Sequence, residues 1–375
     1  MTLFIEPYRK PHEHMMVVQS LLLLECSRNE KIYFVSTEKY FNSIPRHCTE
    51  NVYFLDLKNS YVSGFLSIFQ IFYLLIKYYY KLKPNRVILF STKSYASLLI
   101  KIWTFFLFNS CKIYVLLHGE LQYLVNNETL SKKADAFTNK INLYINSIFR
   151  TNFKFVILSK LVYKNLCSEL GYTIKNIIHL DLPYDYTDIQ FPSGIKQQDE
   201  KLILSTIGVN AIIKNSHLLN TLADRLSNQI NKSLLELRCI GRVHDVEFRD
   251  SVRLLDLNGS YFVDPALYSK LILETSFILS FVDDLNYSLI SSGSYFDCIK
   301  YQKPILALKN SQWEYNFKTF GEIGMLFNSV NEMILYIISI VEKQVDPLKY
   351  NQKLKDAMLL TGINNNVEIY KTLFL

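Results

Sequence analysis

The chain alternates, from one end to the other, short apolar runs with longer stretches of helical periodicity. Runs rich in Val, Ile, Leu and Phe fall at residues 2–5, 31–36, 52–56, 86–90, 112–117 and 154–158. Between them apolar residues recur at helical spacing over 14–28, 60–83, 95–108, 132–150 and 160–170. Near-continuous apolar strands are those covered on both faces, and strands separated by helices run parallel and are joined by right-handed crossovers. At 192–200 the pattern breaks into Pro192-Ser193-Gly194 and a charged tail, the composition of an interdomain linker. A second series follows, with strands expected at 202–207, 235–240, 261–263, 277–281 and 305–308. Its helices are expected at 216–229, 265–274 and 294–301, and periodic segments at 330–345 and 348–359 close the chain.

The expected fold class is therefore α/β: two Rossmann-like doubly wound domains, 1–192 and 193–350, facing a central cleft. Residues 351–375 form a C-terminal helical segment free to pack back on the first domain. A length of 375 residues suits two such domains, and 49% apolar with 20% charged residues excludes a disordered chain. The first ten residues lack a signal peptide's apolar core and small-residue cleavage site, and read as a strand and a loop. Six scattered cysteines without a Cys-x-x-Cys pair fit reduced thiols better than disulfides or a zinc site, so a cytoplasmic protein with no metal is expected.

The net charge of +7 is unevenly placed. From Lys58 to Lys154 there are 13 Lys/Arg against three acids, in a segment also rich in Tyr, Phe and Leu. Basic and aromatic residues together suit nucleic acid or an anionic membrane surface; no nucleic-acid-binding motif accompanies them, so the membrane is favoured and no nucleic acid partner is expected. A solvated basic face is the plain alternative. The uncharged stretch 59–76 is long enough to raise a membrane span, but polar residues interrupt it and a Lys83-Pro84-Asn85 turn then leads into a strand, as in a helix packed on a sheet.

The segment Ser291 to Pro304 carries most of the chemistry. A small-residue turn, Ser292-Gly293-Ser294, opens a short helix bearing Asp297, and a strand begins near Pro304. Backbone N–H groups and the positive dipole end of such a helix accept phosphate, and glycine allows close approach. Asp297, one turn further in, suits ribose hydroxyls beside a diphosphate. An ordinary helix start in an α/β domain explains the same residues without a ligand.

The second half resembles the C-terminal domain of GT-B glycosyltransferases, in particular the family 4 group that uses nucleotide-activated sugars. That family's Ser-Gly-x-x-x-Asp/Glu…Gly-Lys-Pro-Val motif is matched by Ser292-Gly293, Asp297 and Gln302-Lys303-Pro304-Ile305. Its strand-Gly-Arg…Lys-Gly motif is matched by Gly208 and Lys214, with Val209 in place of the arginine and Asn215 in place of the second glycine. Arg242 follows a strand-Gly turn where an acid is usual, and Leu289 stands where the family's first acid would be. In the first half the likeness rests on a strand followed by His118-Gly119-Glu120.

The resemblance implies a nucleoside-diphosphate-sugar donor held by Gly208, Lys214, Arg242, Ser292, Gly293, Ser294 and Asp297. It also implies a glycan or polyprenyl-linked acceptor on the first half and no further cofactor. His118 is then a catalytic or sugar-contacting group, with Glu120 beside it on the acceptor side. The loop Pro11-His12-Glu13-His14 offers three titratable groups suited to removing an acceptor proton near neutral pH, His12 on the acceptor side and Glu13 or His14 as base. Such an enzyme would work on the inner face of the cell membrane in surface polysaccharide synthesis. A hydrolysing nucleotide-sugar epimerase and a non-catalytic scaffold with this fold are the alternatives.

Overall fold

The computed structural model describes residues 1–9, 14–57, 66–90, 92, 94–107, 111–117, 120–125, 130–148, 152–187, 201–255, 265–291, 293–344 and 347–373. The chain divides into two compact units. The first comprises residues 1–185, 289–291 and 363–375, and the second 186–288 and 292–362.

In chain order the first unit contains β1 (Thr2–Glu6), α1 (Met15–Cys26), β2 (Ile32–Ser36), α2 (Glu38–Phe41), α3 (Arg46–Thr49), β3 (Val52–Asp56) and α4 (Leu66–Leu82). It continues with β4 (Arg86–Leu89), α5 (Ser94–Leu107), β5 (Lys112–Leu117), α6 (Leu130–Ile148), β6 (Phe153–Ile157), α7 (Lys160–Leu170) and β7 (Ile177–His179). The second unit contains β8 (Leu202–Ile207), α8 (Leu218–Arg225), α9 (Ser227–Asn231), β9 (Leu235–Ile240), β10 (Val252–Leu255), α10 (Pro265–Leu273), β11 (Phe277–Ser280) and α11 (Asp284–Tyr287). After these come α12 (Ser294–Lys300), β12 (Ile305–Leu308), α13 (Ser311–Phe320), β13 (Gly324–Phe327), α14 (Val330–Val341) and α15 (Asn351–Thr361); α16 (Val367–Leu373) returns to the first unit.

Both sheets are parallel in every pairing. The first runs β3-β2-β1-β4-β5-β6-β7 and the second β10-β9-β8-β11-β12-β13. Strand order reverses between β1 and β4 in one sheet and between β8 and β11 in the other. At such a switch point the loops leaving the carboxyl ends diverge to opposite faces and leave room for a ligand.

The period-2 alternation of a strand sorts the core of the first unit into two layers. Leu3, Ile5, Val87, Leu89, Ile113 and Val115 face α4–α7, while Phe4, Phe34, Ile88, Phe90 and Tyr114 face α1 and α16. Each such side chain, taken fully out of water, contributes about 1.5–3 kcal/mol. Arg86 and Lys101 are buried inside this unit. Arg86 pairs with Glu25 (3.3 Å) and Glu30 (2.9 Å), and Lys101 donates to the Asn142 carbonyl (3.0 Å).

Several expectations change. The helix expected over 216–229 breaks at Leu226 into α8 and α9. Strands β7, β10 and β13 and helix α13 had no counterpart in the sequence reading. The expected strand 261–263 and the linker 192–200 lie outside the described residues. Among the described residues no helix is long and apolar enough to cross a membrane.

Candidate functional site

At the switch point of the second unit, β8 and β9 both end in glycine. Gly208 has φ +78° and Gly241 φ +119°. A Cβ on Gly241 would lie 2.3 Å from the Gly208 carbonyl oxygen, so the two turns approach too closely for any other residue. A Cβ on Gly208 would meet nothing within 4 Å, and the carboxyl end of β8 therefore borders open space. The ladder continues past the glycines, since the Asn210 amide donates to the Arg242 carbonyl (2.8 Å) and that of His244 to the Asn210 carbonyl (2.9 Å). Arg242 is thereby fixed beside the loop leaving β8.

That loop closes in a single 3-10 turn, Ile212–Lys214. The Ile212 amide donates to Asp245 (2.9 Å), the main cause holding that carboxyl below its usual range. Asn215, in the left-handed region at φ 55°, donates through its side-chain amide to the Phe281 carbonyl (3.1 Å) and to Asp283 (2.8 Å). The turn bearing Lys214 is thus tied to the loop leaving β11, across the switch point. The Lys214 ammonium lies over the Tyr287 ring, 5.9 Å from its centre.

Helix α12 begins at Gly293, which gives it no side-chain cap; the amides of Phe296 and Asp297 both donate to the Gly293 carbonyl at 3.0 Å. Ser294 is the first helical residue and Asp297 lies in the first turn. Burial pushes the Asp297 carboxyl up to about 6, against the lowering pull of Lys300 and Lys214. Burial likewise lowers the Lys214 ammonium from its ordinary value, and Asp297 pulls it back up. The two groups are within electrostatic reach, crowded by protein yet each partly open to solvent. Phenols surround them. Burial raises Tyr186, Tyr268 and Tyr301, with the charge of Asp297 adding to each, and burial raises Tyr287 to about 12. Tyr186 is fixed by Thr361 (2.7 Å) and Tyr301 by Ser269 (3.0 Å).

The structure thus brings together Gly208, Arg242 and Lys214 after β8 and β9, with Lys214 in electrostatic reach of Asp297 in α12. Ser292 lies outside the described residues. Leu289, where the resemblance expects an acid, belongs to the first unit; it is only 2% exposed and its amide donates to Gln122 (3.1 Å), so its side chain offers nothing to a ligand. Tyr186, Tyr287 and Tyr301 escaped the sequence reading, since nothing marks them among 26 Tyr, and Asn215 entered it only as a replacement for the family's second glycine.

In the first unit His12, Glu13 and His118 lie outside the described residues, as does the side chain of Glu120, which opens a 3-10 turn, Glu120–Leu124. His14 is exposed at the start of α1, in the left-handed region at φ 51°, and its carbonyl accepts from Val17 (3.0 Å). At the end of β1 the buried Glu6 pairs with Arg9 (3.0 Å), and Arg9 donates to the Phe90 carbonyl (3.3 Å), joining the loops that leave β1 and β4. A second constellation, also missed, groups His47, Cys48 and Asp185. Asp185 lies 2.6 Å and the Cys48 sulfur 3.2 Å from the same ring nitrogen, Nε2 of His47. A nucleophile relay needs both ring nitrogens. A shared zinc ion would hold its ligands roughly 3.3 Å apart, more than this hydrogen bond allows.

No family model matches the sequence, and no curated protein matches it. Solved structures do match. A glycosyltransferase of Rickettsia africae superposes with TM-score 0.63 at 13% identity, over 100% of this chain and 97% of that one. HepE of Anabaena, solved with UDP and glucose, gives 0.67 at 12% over 99% and 98%. WaaG, a glycosyltransferase involved in lipopolysaccharide biosynthesis, gives 0.62 at 9% over 98% and 99%. The fold is GT-B. Identities this low establish the GT-B architecture and nothing finer, so the chemistry must be argued from this chain's own residues.

Proposed function

We propose that this GT-B chain is a glycosyltransferase that moves a sugar from a nucleoside diphosphate to a carbohydrate or lipid-linked acceptor. The observation that carries the reading is that Lys214 and Asp297 lie within electrostatic reach of one another beside the carboxyl ends of β8 and β11, where Asn215 ties the Lys214 turn to the loop leaving β11. A diphosphate beside Lys214 would favour its charged form and stabilise negative charge developing on the leaving group, with no metal required. Asp297 would accept from ribose hydroxyls, and the glycine turn at Gly208 would admit the ligand against the backbone. Gly293, Ser294 and Ser292 would add amides, and Arg242 the charge that Val209 does not supply. HepE holds UDP and glucose, which makes a uridine nucleotide the first donor to test. In the first unit His118, Glu120 and the His12-Glu13-His14 loop would serve the acceptor, with one of them as base. The setting would be bacterial surface polysaccharide assembly on the cytoplasmic side of the membrane.

The test is a thermal-shift screen of nucleoside diphosphates and their sugars, followed by product analysis. At least one donor should stabilise the wild type, and Lys214→Ala should lose about tenfold or more in affinity, as expected when a charge-assisted phosphate contact is removed. Release or isomerisation of the sugar without any acceptor would instead indicate a hydrolysing epimerase. A wild type inert towards every donor would leave a scaffold.

A further inference from the structure

Helices α4, α5 and α6 lie side by side on one face of the first sheet. Phe72 of α4 meets Trp103 of α5 edge-on, ring centres 4.0 Å apart, and Lys101 joins α5 to α6. Each helix buries one stripe, including Ile71, Leu74 and Tyr78 in α4, Ile100 in α5 and Leu143 in α6. The opposite stripes point away from the sheet. On α4 the outward stripe is Phe69, Tyr73, Lys77 and Tyr80, on α5 Tyr95, Leu99 and Ile102, and on α6 Lys133, Phe137, Lys140 and Tyr144. These are i, i+4, i+7 spacings. Tyr73 is 61% exposed, Tyr80 59% and Phe137 66%. Single exposed apolar residues are ordinary on a protein surface, but three adjacent helices each turning an aromatic or aliphatic stripe to solvent are not.

The charge on this face has one sign. The three helices contain a single acid, Asp135, beside Lys77, Lys81, Lys132, Lys133 and Lys140. Arg86 and Lys101, both within the basic segment of the sequence, are buried and take no part. The Lys77 ammonium lies over the Tyr73 ring at 5.7 Å, so its stem runs along the apolar surface while the charge stays at the rim. A two-fold contact between copies of this chain would set these lysines against one another. A surface of anionic lipid would neutralise them and take up the rings at headgroup depth.

We propose that the outer face of α4, α5 and α6 is a seat for an anionic bilayer. The inference deepens the membrane-side part of the reading above but stands on the first unit alone, so its failure leaves the donor chemistry untouched. The full chain is floated with vesicles of phosphatidylcholine alone or mixed with phosphatidylglycerol, at low and high salt. The wild type should float with the mixed vesicles and only weakly with phosphatidylcholine. The exposed-residue variant Tyr73→Ser/Tyr80→Ser/Phe137→Ser should partition about tenfold or more less strongly, while its thermal shift with UDP stays that of the wild type. A second variant, Lys77→Glu/Lys133→Glu/Lys140→Glu, should lose the preference for phosphatidylglycerol. No flotation of the wild type at either salt overturns the proposal, as does undiminished flotation of both variants. So does a solution dimer of the wild type that the serine variant converts to monomer.

Discussion

Asp297 illustrates how a residue proposed to bind a ligand can work against the fold that holds it. Its carboxyl titrates near 6 in the folded protein, against 3.8 for an ordinary aspartate. Between those values the unfolded chain has lost the proton while the folded chain keeps it, so stability falls as pH rises through this window and stays lower above it. The full penalty is on the order of 2–3 kcal/mol at neutral pH and above. Asp297→Asn removes the charge and keeps the shape. Urea denaturation should find the variant more stable than the wild type at pH 8 and equal to it at pH 3. The same variant should bind UDP more weakly, the usual opposition of stability and function. A variant less stable than the wild type at pH 8 would contradict the assigned cause of the shift. Asp297 stood out in the sequence through its spacing from Ser292-Gly293, but Tyr186, whose phenol feels its charge, did not, because it comes from a distant segment.

At the scale of elements, what was legible depended on burial. Central strands such as β1, β4 and β5 are covered on both faces and show as near-continuous apolar runs. The missed strands are edges or short pieces: β10 exposes Arg253 and Leu254, β7 has three residues, and β13 opens on a glycine. Helix α13, Ser-Gln-Trp-Glu-Tyr-Asn-Phe-Lys-Thr-Phe, is too polar and aromatic to show a clean apolar stripe, yet Asn310 caps it by accepting from Trp313 (2.8 Å). The strand-Gly turns were legible as motifs, but not which of the two glycines is the tighter. The geometry distinguishes them. Gly208→Ala meets only the cost of positive φ, about 1 kcal/mol, whereas Gly241→Ala also forces a Cβ to within 2.3 Å of the Gly208 carbonyl and should cost several-fold more. Chemical denaturation of the two variants should rank them in that order, and Gly241→Ala should weaken UDP binding as well, since relief of the clash displaces the Gly208 turn.

For the whole molecule, the decisive feature is that the chain leaves the second unit at residue 362 and contributes α16 to the first. Tyr370 of α16 is 1% exposed and donates to Glu25 (2.8 Å), the carboxylate that also receives Thr2 (2.8 Å) and Arg86 (3.3 Å) and forms an ion pair with Arg28 (3.4 Å). Arg28 in turn donates to the Lys371 carbonyl (3.0 Å). A buried carboxylate satisfied by this many donors is stable only as a set, and loss of one leaves polar groups without partners in the core. Tyr370→Phe should cost about 1–2 kcal/mol through the lost hydrogen bond, and a chain ending at Gly362 should cost more, because it also removes Ile363, Val367 and Leu373 from the apolar layer they pack against. Both losses belong to the first unit, while the Lys214–Asp297 site belongs to the second. Calorimetry should therefore show the first unit's transition moving down in both variants. The transition that UDP raises should stay where it is, and its dependence on nucleotide concentration should not change. A uniform downward shift of all unfolding would mean that the two units melt as one body and that α16 supports the whole chain.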